Sequence, residues 1–177
     1  MMTDTALWAD KLAIREVIER YMRYNDNGDF DAIAELFDTD ATFQVFGKVI
    51  VGRDAIHAFF SRIFQTTLTP WPKEGSLFLE PRSVHISSNP IIEVDGDRAT
   101  AETDFQVIGR DANGHADVTL VGRYRDRFRR ASSDAPWLIA CRTGVSVARP
   151  GEEGGDSEWR GAIERMSDAT RSRLRRS

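Results

Sequence analysis

Apolar positions in the first third of the chain recur at the period of a helix. Between Leu7 and Asn25 they return every three or four residues, which predicts a long amphipathic helix capped by Asp4 or Thr5. Asp29 is predicted to cap a second, short helix, and the stretch GRDAIHAFFSRIFQ predicts a third. Between these two helices, segments on either side of Gly47 predict a small hairpin or a bent strand. The apolar positions of the three helices are Ile14, Val17, Ile18, Tyr21 and Met22, then Phe30, Ile33, Ala34 and Phe37, then Ile56, Phe59, Phe60, Ile63 and Phe64.

Further along, the pattern changes to an alternation of apolar and polar residues, which is typical of strands. Turn residues such as Ser88-Asn89-Pro90 and Asp95-Gly96-Asp97 separate the alternating segments. Helices followed by an antiparallel meander predict an α+β fold with the helices packed on one face of the sheet. The predicted strands are Leu77–Ser87, Ile91–Val94, Arg98–Ile108, His115–Phe128 and Trp137–Val147, preceded by Ala41–Phe46 and Lys48–Val51 around Gly47.

Size and composition narrow the possible partners. The 177 residues suit one domain, predicted over residues 1–150, followed at 151–177 by a linker and a basic helical tail that is exposed or docked on a partner. A net charge of −4 gives no reason to expect nucleic acid, and no segment has the roughly 20 apolar residues of a membrane helix. The chain opens without a signal-like segment, so we expect a cytoplasmic protein that binds neither nucleic acid nor a membrane. Cys141 is the single cysteine, and no phosphate-binding or zinc motif occurs, so we predict no cofactor and no metal.

One acid interrupts the apolar stripe of the first helix. Asp26 follows Met22 by four residues and Ile18 by eight, and a carboxylate on a core-facing stripe is costly unless it is paired or hydrated. Asp26 is therefore either a turn acid at the end of the helix or an acid that lines an internal cavity. Tyr21, on the adjoining row, is a core aromatic residue or a donor to a substrate carbonyl. Tyr24 has the same two options.

Three strand residues are the remaining candidates. An imidazole suits acid–base chemistry near neutral pH, and His85 qualifies if its side of the strand faces the helices while Val84 and Ile86 face outward. Asp104 lies on a strand face that is polar throughout, which favours an exposed acid over a functional one. Arg142 has small neighbours on its face and either pairs with an acid or binds a substrate carboxylate.

The stretch YMRYNDNGDFDAIAELFDTDATF followed by VGRDAIHAFF resembles the start of the nuclear-transport-factor-2-like superfamily. The closest likeness is to its SnoaL-like branch, which includes polyketide cyclases, scytalone dehydratase and bile-acid dehydratases, and VDGDRATAETDF, GRYRDRF and PWLIACRTG resemble strand motifs of that branch. The resemblance runs from about Leu12 to Val147 and implies a cone-shaped, cystatin-like α+β fold. In it, a curved antiparallel sheet wraps around the N-terminal helices and leaves an internal pocket. A homodimer through the outer sheet face is also implied, with Val118, Leu120 and Tyr124 as expected contacts.

The resemblance also implies roles for residues. Family dehydratases place an aspartate and a tyrosine at the end of the first helix and a histidine on a facing strand, which match Asp26, Tyr21 and His85. A further acid and arginine of the bile-acid enzymes match Asp104 and Arg142. The second catalytic histidine of scytalone dehydratase has no secure counterpart, which argues against the same substrate.

These matches predict a cofactor-independent lyase or isomerase that acts on a small cyclic or aromatic hydroxy-ketone. His85 would remove a proton alpha to the carbonyl, Asp26 would orient the imidazole, and Tyr21 would polarise the carbonyl. One alternative is a non-catalytic ligand-binding or assembly domain, like the small subunit of an aromatic-ring dioxygenase. Another is epoxide hydrolysis by Asp26, Arg142 and Asp104 around a water. Contact between Asp26 and His85 inside a closed cavity would favour the first prediction.

Overall fold

The computed structural model describes residues 4–45, 47–65, 83–110 and 113–147, which form three helices and six strands. The first helix starts slightly earlier and ends slightly later than the sequence pattern predicts, and the predicted tail lies outside the described residues. In chain order the elements are α1 (Asp4–Asn27), α2 (Phe30–Glu35), β1 (Phe37–Val45), β2 (Lys48–Val51), α3 (Arg53–Gln65), β3 (Val84–Asp95), β4 (Arg98–Arg110), β5 (Ala116–Arg129) and β6 (Leu138–Ser146).

The strands form one curved, unclosed sheet in the order β2-β1-β6-β5-β4-β3. The meander from β3 to β6 is antiparallel, as is the β1–β2 hairpin, but β1 pairs with β6 in parallel. The α+β class with N-terminal helices and a curved sheet is therefore confirmed, while the sheet is mixed rather than wholly antiparallel. A parallel neighbour needs a long crossover connection, which here is the whole chain from β2 to β5.

The second helix is shorter than predicted. Asp29 is its N-cap, and its Oδ1 accepts a hydrogen bond of 3.2 Å from the backbone N–H of Ala32. Phe37, which the sequence pattern places on this helix, is instead the first residue of β1. The reason is pairing with β6, because the Ile139 N–H donates to the carbonyl oxygen of Leu36 at 2.8 Å and draws the chain into the sheet.

The predicted turn at Ser88-Asn89-Pro90 is wrong, because β3 runs through it as a single strand. The pairing with β4 shifts register between Ser88 and Ile91, and Asn89 has a φ of 52°. Asparagine tolerates this left-handed conformation, so the same residues that favour a turn produce a bulge within the strand. Residues 77–82 of the predicted strand lie outside the described residues.

The core lies between the helices and the inner face of the sheet, and the two ends of α1 are tied to the strands. Near its start, Asp10 accepts hydrogen bonds from Arg130 and from the indole of Trp137, the latter at 3.1 Å. Near its end, Asp26 contacts β3. Strand alternation points the side chain of Tyr124 into this core, so the prediction that Tyr124 is a dimer contact is wrong. Of the other two predicted dimer contacts, Leu120 is half-buried against the core and Val118 is exposed.

None of the three described helices combines the length and the apolar content that crossing a membrane requires.

Candidate functional site

The carboxylate of Asp26 and the imidazole of His85 meet where the end of α1 lies against β3. Asp26 Oδ1 is 2.6 Å from His85 Nδ1, and the two side chains are only 10% and 13% exposed. The backbone N–H of His85 also donates to both carboxylate oxygens, at 2.9 and 3.2 Å. A single acid therefore fixes both the ring and the backbone of His85.

The facing of His85 follows from its neighbours in β3. Val84 and Ile86 are 39% and 44% exposed, so they form the outer face and His85 points toward the helices. This is the strand phase on which a functional role for His85 depends. Asp26 occupies the buried, sheet-facing position that its helical phase predicts, and it is paired with His85.

A second group lies deeper, under the C-terminal third of the same helix. Arg142 donates from Nε and Nη2 to the two carboxylate oxygens of Asp126, at 2.8 and 2.7 Å, and both side chains are fully buried. The guanidinium carbon lies 4.0 Å from the ring centre of Tyr21 and 4.5 Å from that of Tyr124. The bidentate acid and the two aromatic rings together replace part of the water that a buried cation loses. These four residues are called the arginine cluster.

Burial sets the protonation of the arginine cluster. Loss of solvent raises the pKa of Tyr21 well above its ordinary value and raises the pKa of Tyr124, while the charge of Arg142 opposes both shifts. For Arg142 itself, burial lowers the pKa, but the charge and hydrogen bonds of Asp126 outweigh it and raise the pKa overall. At neutral pH both phenols are therefore hydrogen-bond donors beside a charged guanidinium.

One atom of the arginine cluster and two atoms of other residues can form hydrogen bonds but lack partners among the described residues. These buried atoms are Arg142 Nη1, Thr103 Oγ1 and Asn25 Oδ1. Thr103 stands opposite Tyr124 in the β4–β5 register, and Asn25 lies one helical turn beyond Tyr21. The polar atoms around this cluster therefore have unused donor and acceptor capacity.

The two groups share the last turns of α1. Tyr21 precedes Asp26 by five residues, so a rise of 1.5 Å per residue separates them by roughly 7.5 Å along the helix axis. Within the described ranges, no group of three or more His, Cys, Asp or Glu side chains is placed to hold a metal ion.

The structure keeps one candidate apart from these groups. Asp104 points to the outer face of β4, where its Oδ1 accepts a hydrogen bond of 2.6 Å from Arg123 Nε. Thr103 and Phe105 take the inner positions, so strand alternation separates Asp104 from Arg142. The Asp26–Arg142–Asp104 set of the epoxide hypothesis is therefore not assembled, because the acid on Arg142 is Asp126. Tyr24 is half-buried against the core beside the end of α1.

Sequence reasoning missed Asp126 and Tyr124 as partners of Arg142. The signal was present in the motif GRYRDRF, where Asp126 shares a strand face with Tyr124 and Phe128, while the arginines share the other. An acid on an aromatic strand face needs a buried partner. The identity of that partner depended on the β5–β6 register, in which Asp126 stands opposite Arg142.

A separate hollow of about 620 Å³ opens mainly on the outer side of the sheet. The residues that line it include Glu93, Glu102, Arg125, Arg127 and the half-buried Cys141. It is distinct from the pocket that the resemblance implies between helices and sheet, and that inner pocket stays a prediction.

Comparison with known proteins places the chain in a family. The model of the SnoaL-like domain matches residues 7–143. No curated protein sequence matches the chain.

Solved structures share the fold. A protein from Novosphingobium aromaticivorans described as nuclear-transport-factor-2-like, with a cystatin-like fold, is 27% identical, with 86% of this chain and 90% of that one covered and a TM-score of 0.65. An aspartate-to-asparagine variant of a protein of unknown function from Mycobacterium tuberculosis is 24% identical, with 91% and 96% covered and a TM-score of 0.68. A candidate scytalone dehydratase from Novosphingobium aromaticivorans is 18% identical, with 82% and 89% covered and a TM-score of 0.65. The resemblance predicted from the sequence is thereby confirmed, and the chain belongs to the SnoaL-like domain family.

Proposed function

We propose that the protein is a cofactor-independent lyase or isomerase that acts on a small cyclic or aromatic hydroxy-ketone. The observation that carries the proposal is the 2.6 Å contact between Asp26 and His85, in which both side chains are largely buried and face the helix side of the sheet. A histidine held by a carboxylate in this way is a common arrangement for a general base. One solved neighbour with this fold is named a candidate scytalone dehydratase, which is an enzyme of this class.

His85 is the proposed base. An ionised Asp26 favours the tautomer that carries its proton on Nδ1, so the lone pair on Nε2 is free to take a proton from the carbon alpha to the carbonyl. The electron pair of that C–H bond then forms the carbon–carbon double bond of an enolate, and the charge of Asp26 stabilises the imidazolium. A positioned base of this kind contributes on the order of 10²–10⁴ to the rate.

The enolate has two balanced outcomes. In a lyase, the hydroxyl group beta to the carbonyl departs as water with the proton held on Nε2, and the product is an enone. In an isomerase, the same proton returns to a different carbon and the double bond migrates. Neither route transfers electrons to another molecule, so the residues of this chain and the substrate account for every atom.

Tyr21 is proposed to polarise the carbonyl. Its raised pKa keeps the phenol protonated, as a donor must be. Tyr24 and Arg142 are proposed to contact the ligand from the side of α1 and from the inner sheet face. The aromatic side chains of the same core, which include Phe43, Phe59 and Phe60, favour a hydrophobic or aromatic ligand.

The test compares His85→Ala and Asp26→Asn with the wild type on a panel of cyclic hydroxy-ketones and steroids. We expect kcat/KM to fall at least about 100-fold in both variants. The structure offers two matched controls. His57→Ala removes an exposed histidine that also pairs with an acid, Asp31, at 2.7 Å, and Asp104→Asn removes an outer-face carboxylate.

Equal turnover in all five proteins, with unchanged thermal stability, would contradict the proposal. Binding of panel compounds without any turnover by the wild type would also contradict it, in favour of the ligand-binding or assembly domain.

The homodimer through the outer sheet face is likewise a proposal. Exposed apolar side chains on that face, such as Val118, Val121 and Val145, support it. Light scattering is expected to give twice the monomer mass, and a clean monomer would contradict it.

A further inference from the structure

We propose that the arginine cluster is an oxyanion site, in which Arg142 Nη1 and the hydroxyl of Tyr124 bind the substrate oxygen that gains negative charge. This inference rests on the proposed function and assigns the direct contact with the substrate oxygen to Tyr124, so that Tyr21 acts on the carbonyl through its hydrogen bond to Tyr124. It also changes the expected ligand of Arg142, from a substrate carboxylate to a carbonyl oxygen that becomes an enolate.

Unused hydrogen-bond capacity is the first argument. The Arg142 side chain is fully buried, Asp126 occupies its Nε and Nη2, and Nη1 has no partner among the described residues. A buried charged donor without an acceptor is costly, and an occupant that supplies an oxygen removes this cost. Thr103 Oγ1, also buried and unpartnered, stands beside Tyr124 on the same face.

Charge balance is the second argument. Asp126 already neutralises Arg142, so the cluster does not need an anionic ligand in the ground state. It still presents an oriented guanidinium N–H group and a phenol in a site without solvent exposure. Such a site binds an oxygen more strongly as negative charge develops on it, which is the differential binding that accelerates a reaction.

The third argument concerns which tyrosine has a free proton. Burial raises the pKa of both tyrosines. The hydrogen bond between the two hydroxyls adds to the rise in the pKa of Tyr21 and opposes the rise in the pKa of Tyr124, as expected when Tyr21 donates to the Tyr124 oxygen. The Tyr124 proton then remains available to a ligand, and Tyr21 supports Tyr124 through this bond.

Tyr124 is also held rigidly. Phe105 stacks on its ring at a centroid distance of 4.3 Å, and the ring of Tyr21 meets it edge-on at 5.8 Å. On β6, Gly144 leaves the space that the ring occupies, because a Cβ there would lie 3.2 Å from the Tyr124 ring. A donor fixed before the substrate binds needs no reorganisation during the reaction.

The test uses 2-naphthol, whose oxygen on a fused aromatic ring imitates an enolate and whose fluorescence distinguishes naphthol from naphtholate. We expect the wild type to bind it and to lower its apparent pKa. Tyr124→Phe, which removes only the hydroxyl, is expected to weaken binding at least tenfold and to restore the pKa of the free ligand. Thr100→Val, on the outer face of the strand that carries Thr103, is expected to bind like the wild type.

Two results would overturn the inference. One is a folded Tyr124→Phe protein that binds 2-naphthol as tightly as the wild type, which would mean that water alone satisfies the cluster. The other is a wild type that does not bind 2-naphthol at all.

A His85→Ala arm separates this inference from the proposed function. If both hold, His85→Ala loses turnover and keeps 2-naphthol binding, whereas Tyr124→Phe lowers kcat more than it raises KM. Turnover that survives in His85→Ala, together with weakened 2-naphthol binding in Tyr124→Phe, refutes the proposed base and leaves the oxyanion site. Lost turnover in His85→Ala with normal binding in Tyr124→Phe refutes the oxyanion site alone.

Discussion

Strand β5 carries two kinds of arginine–carboxylate pair on its opposite faces. On the outer face, Arg123 pairs with Asp104 at 2.6 Å, and these side chains are 48% and 38% exposed. On the inner face, Asp126 pairs with Arg142 of β6 at 2.7 Å, and both side chains are fully buried. The chemical groups are the same and the distances are similar, but burial and bidentate geometry distinguish the fixed charge of Arg142, which contacts two tyrosines, from the screened surface pair.

The comparison teaches that a carboxylate on a strand acquires its role from the face it occupies. Asp104 was a candidate because a resemblance pointed to it, and alternation directs it outward. Asp126 has the same side chain, and the opposite phase places it under α1 against Arg142. The three predictions below rank changes on the two faces of the meander.

Asp126→Asn is expected to have the largest effect. The variant leaves the buried guanidinium of Arg142 without its counter-charge, and the free energy of unfolding is expected to fall by about 3–5 kcal/mol. Denaturant titration measures the change. Glu102→Gln on the outer face, which breaks the exposed pair with Arg125, is the control and is expected to cost less than about 1 kcal/mol. Equal losses in the two variants would refute the difference between the faces.

Gly122→Ala is expected to have an intermediate effect. A Cβ on Gly122 would lie 2.6 Å both from the ring of Phe105, which stacks on Tyr124, and from the backbone oxygen of Val145, so the added methyl group must displace the support of the arginine cluster, the neighbouring strand β6, or both. We expect a loss of about 1–3 kcal/mol by thermal or chemical unfolding. The matched control is Gly109→Ala in β4, where the nearest atom would lie at 3.4 Å. If Gly109→Ala destabilises as much, crowding of Phe105 is not the cause.

Asp104→Asn is expected to have the smallest effect, and its effect depends on pH. The hydrogen bond from Arg123 holds the pKa of Asp104 below its usual value. The pair therefore stabilises the fold above the ordinary carboxyl pKa, and this contribution disappears as the pH falls through the depressed value. Wild type is expected to be marginally more stable than the variant at about pH 7 and equal to it at about pH 2, with denaturation midpoints as the measure. A stability difference between wild type and variant that grows as the pH falls would contradict the predicted direction.

Much of the fold follows from local sequence pattern. Helical periodicity placed α1 and α3, and the cap at Asp29 marked α2, because these signals lie within a few residues of each other. The parallel pairing of β1 with β6 did not follow, since it joins Phe37 to Ile139 across most of the chain. The bulge at Asn89 was also missed, because a turn and a bulge require the same backbone conformation.

The residues of the candidate site likewise divide into those that local sequence pattern identified and those that only the tertiary structure revealed. Asp26 was found because it breaks a helical stripe, and the inward facing of His85 depended on a strand phase that the alternation of Val84 and Ile86 left open. The acid on Arg142 was not found, because Asp126 lies on a neighbouring strand and only the register joins them. Local pattern therefore marks residues that conflict with their surroundings, whereas their partners require the tertiary structure.

The position of β6 in the sheet has a consequence for how the protein is made. The last described strand inserts between the β1–β2 hairpin and the rest of the meander, so both halves present open edges during synthesis until residues 138–146 leave the ribosome. Open edges invite association with other chains. A ribosome stalled before this segment would thus display two unfinished half-sheets, and chaperones that shield extended segments would have their longest opportunity at that moment.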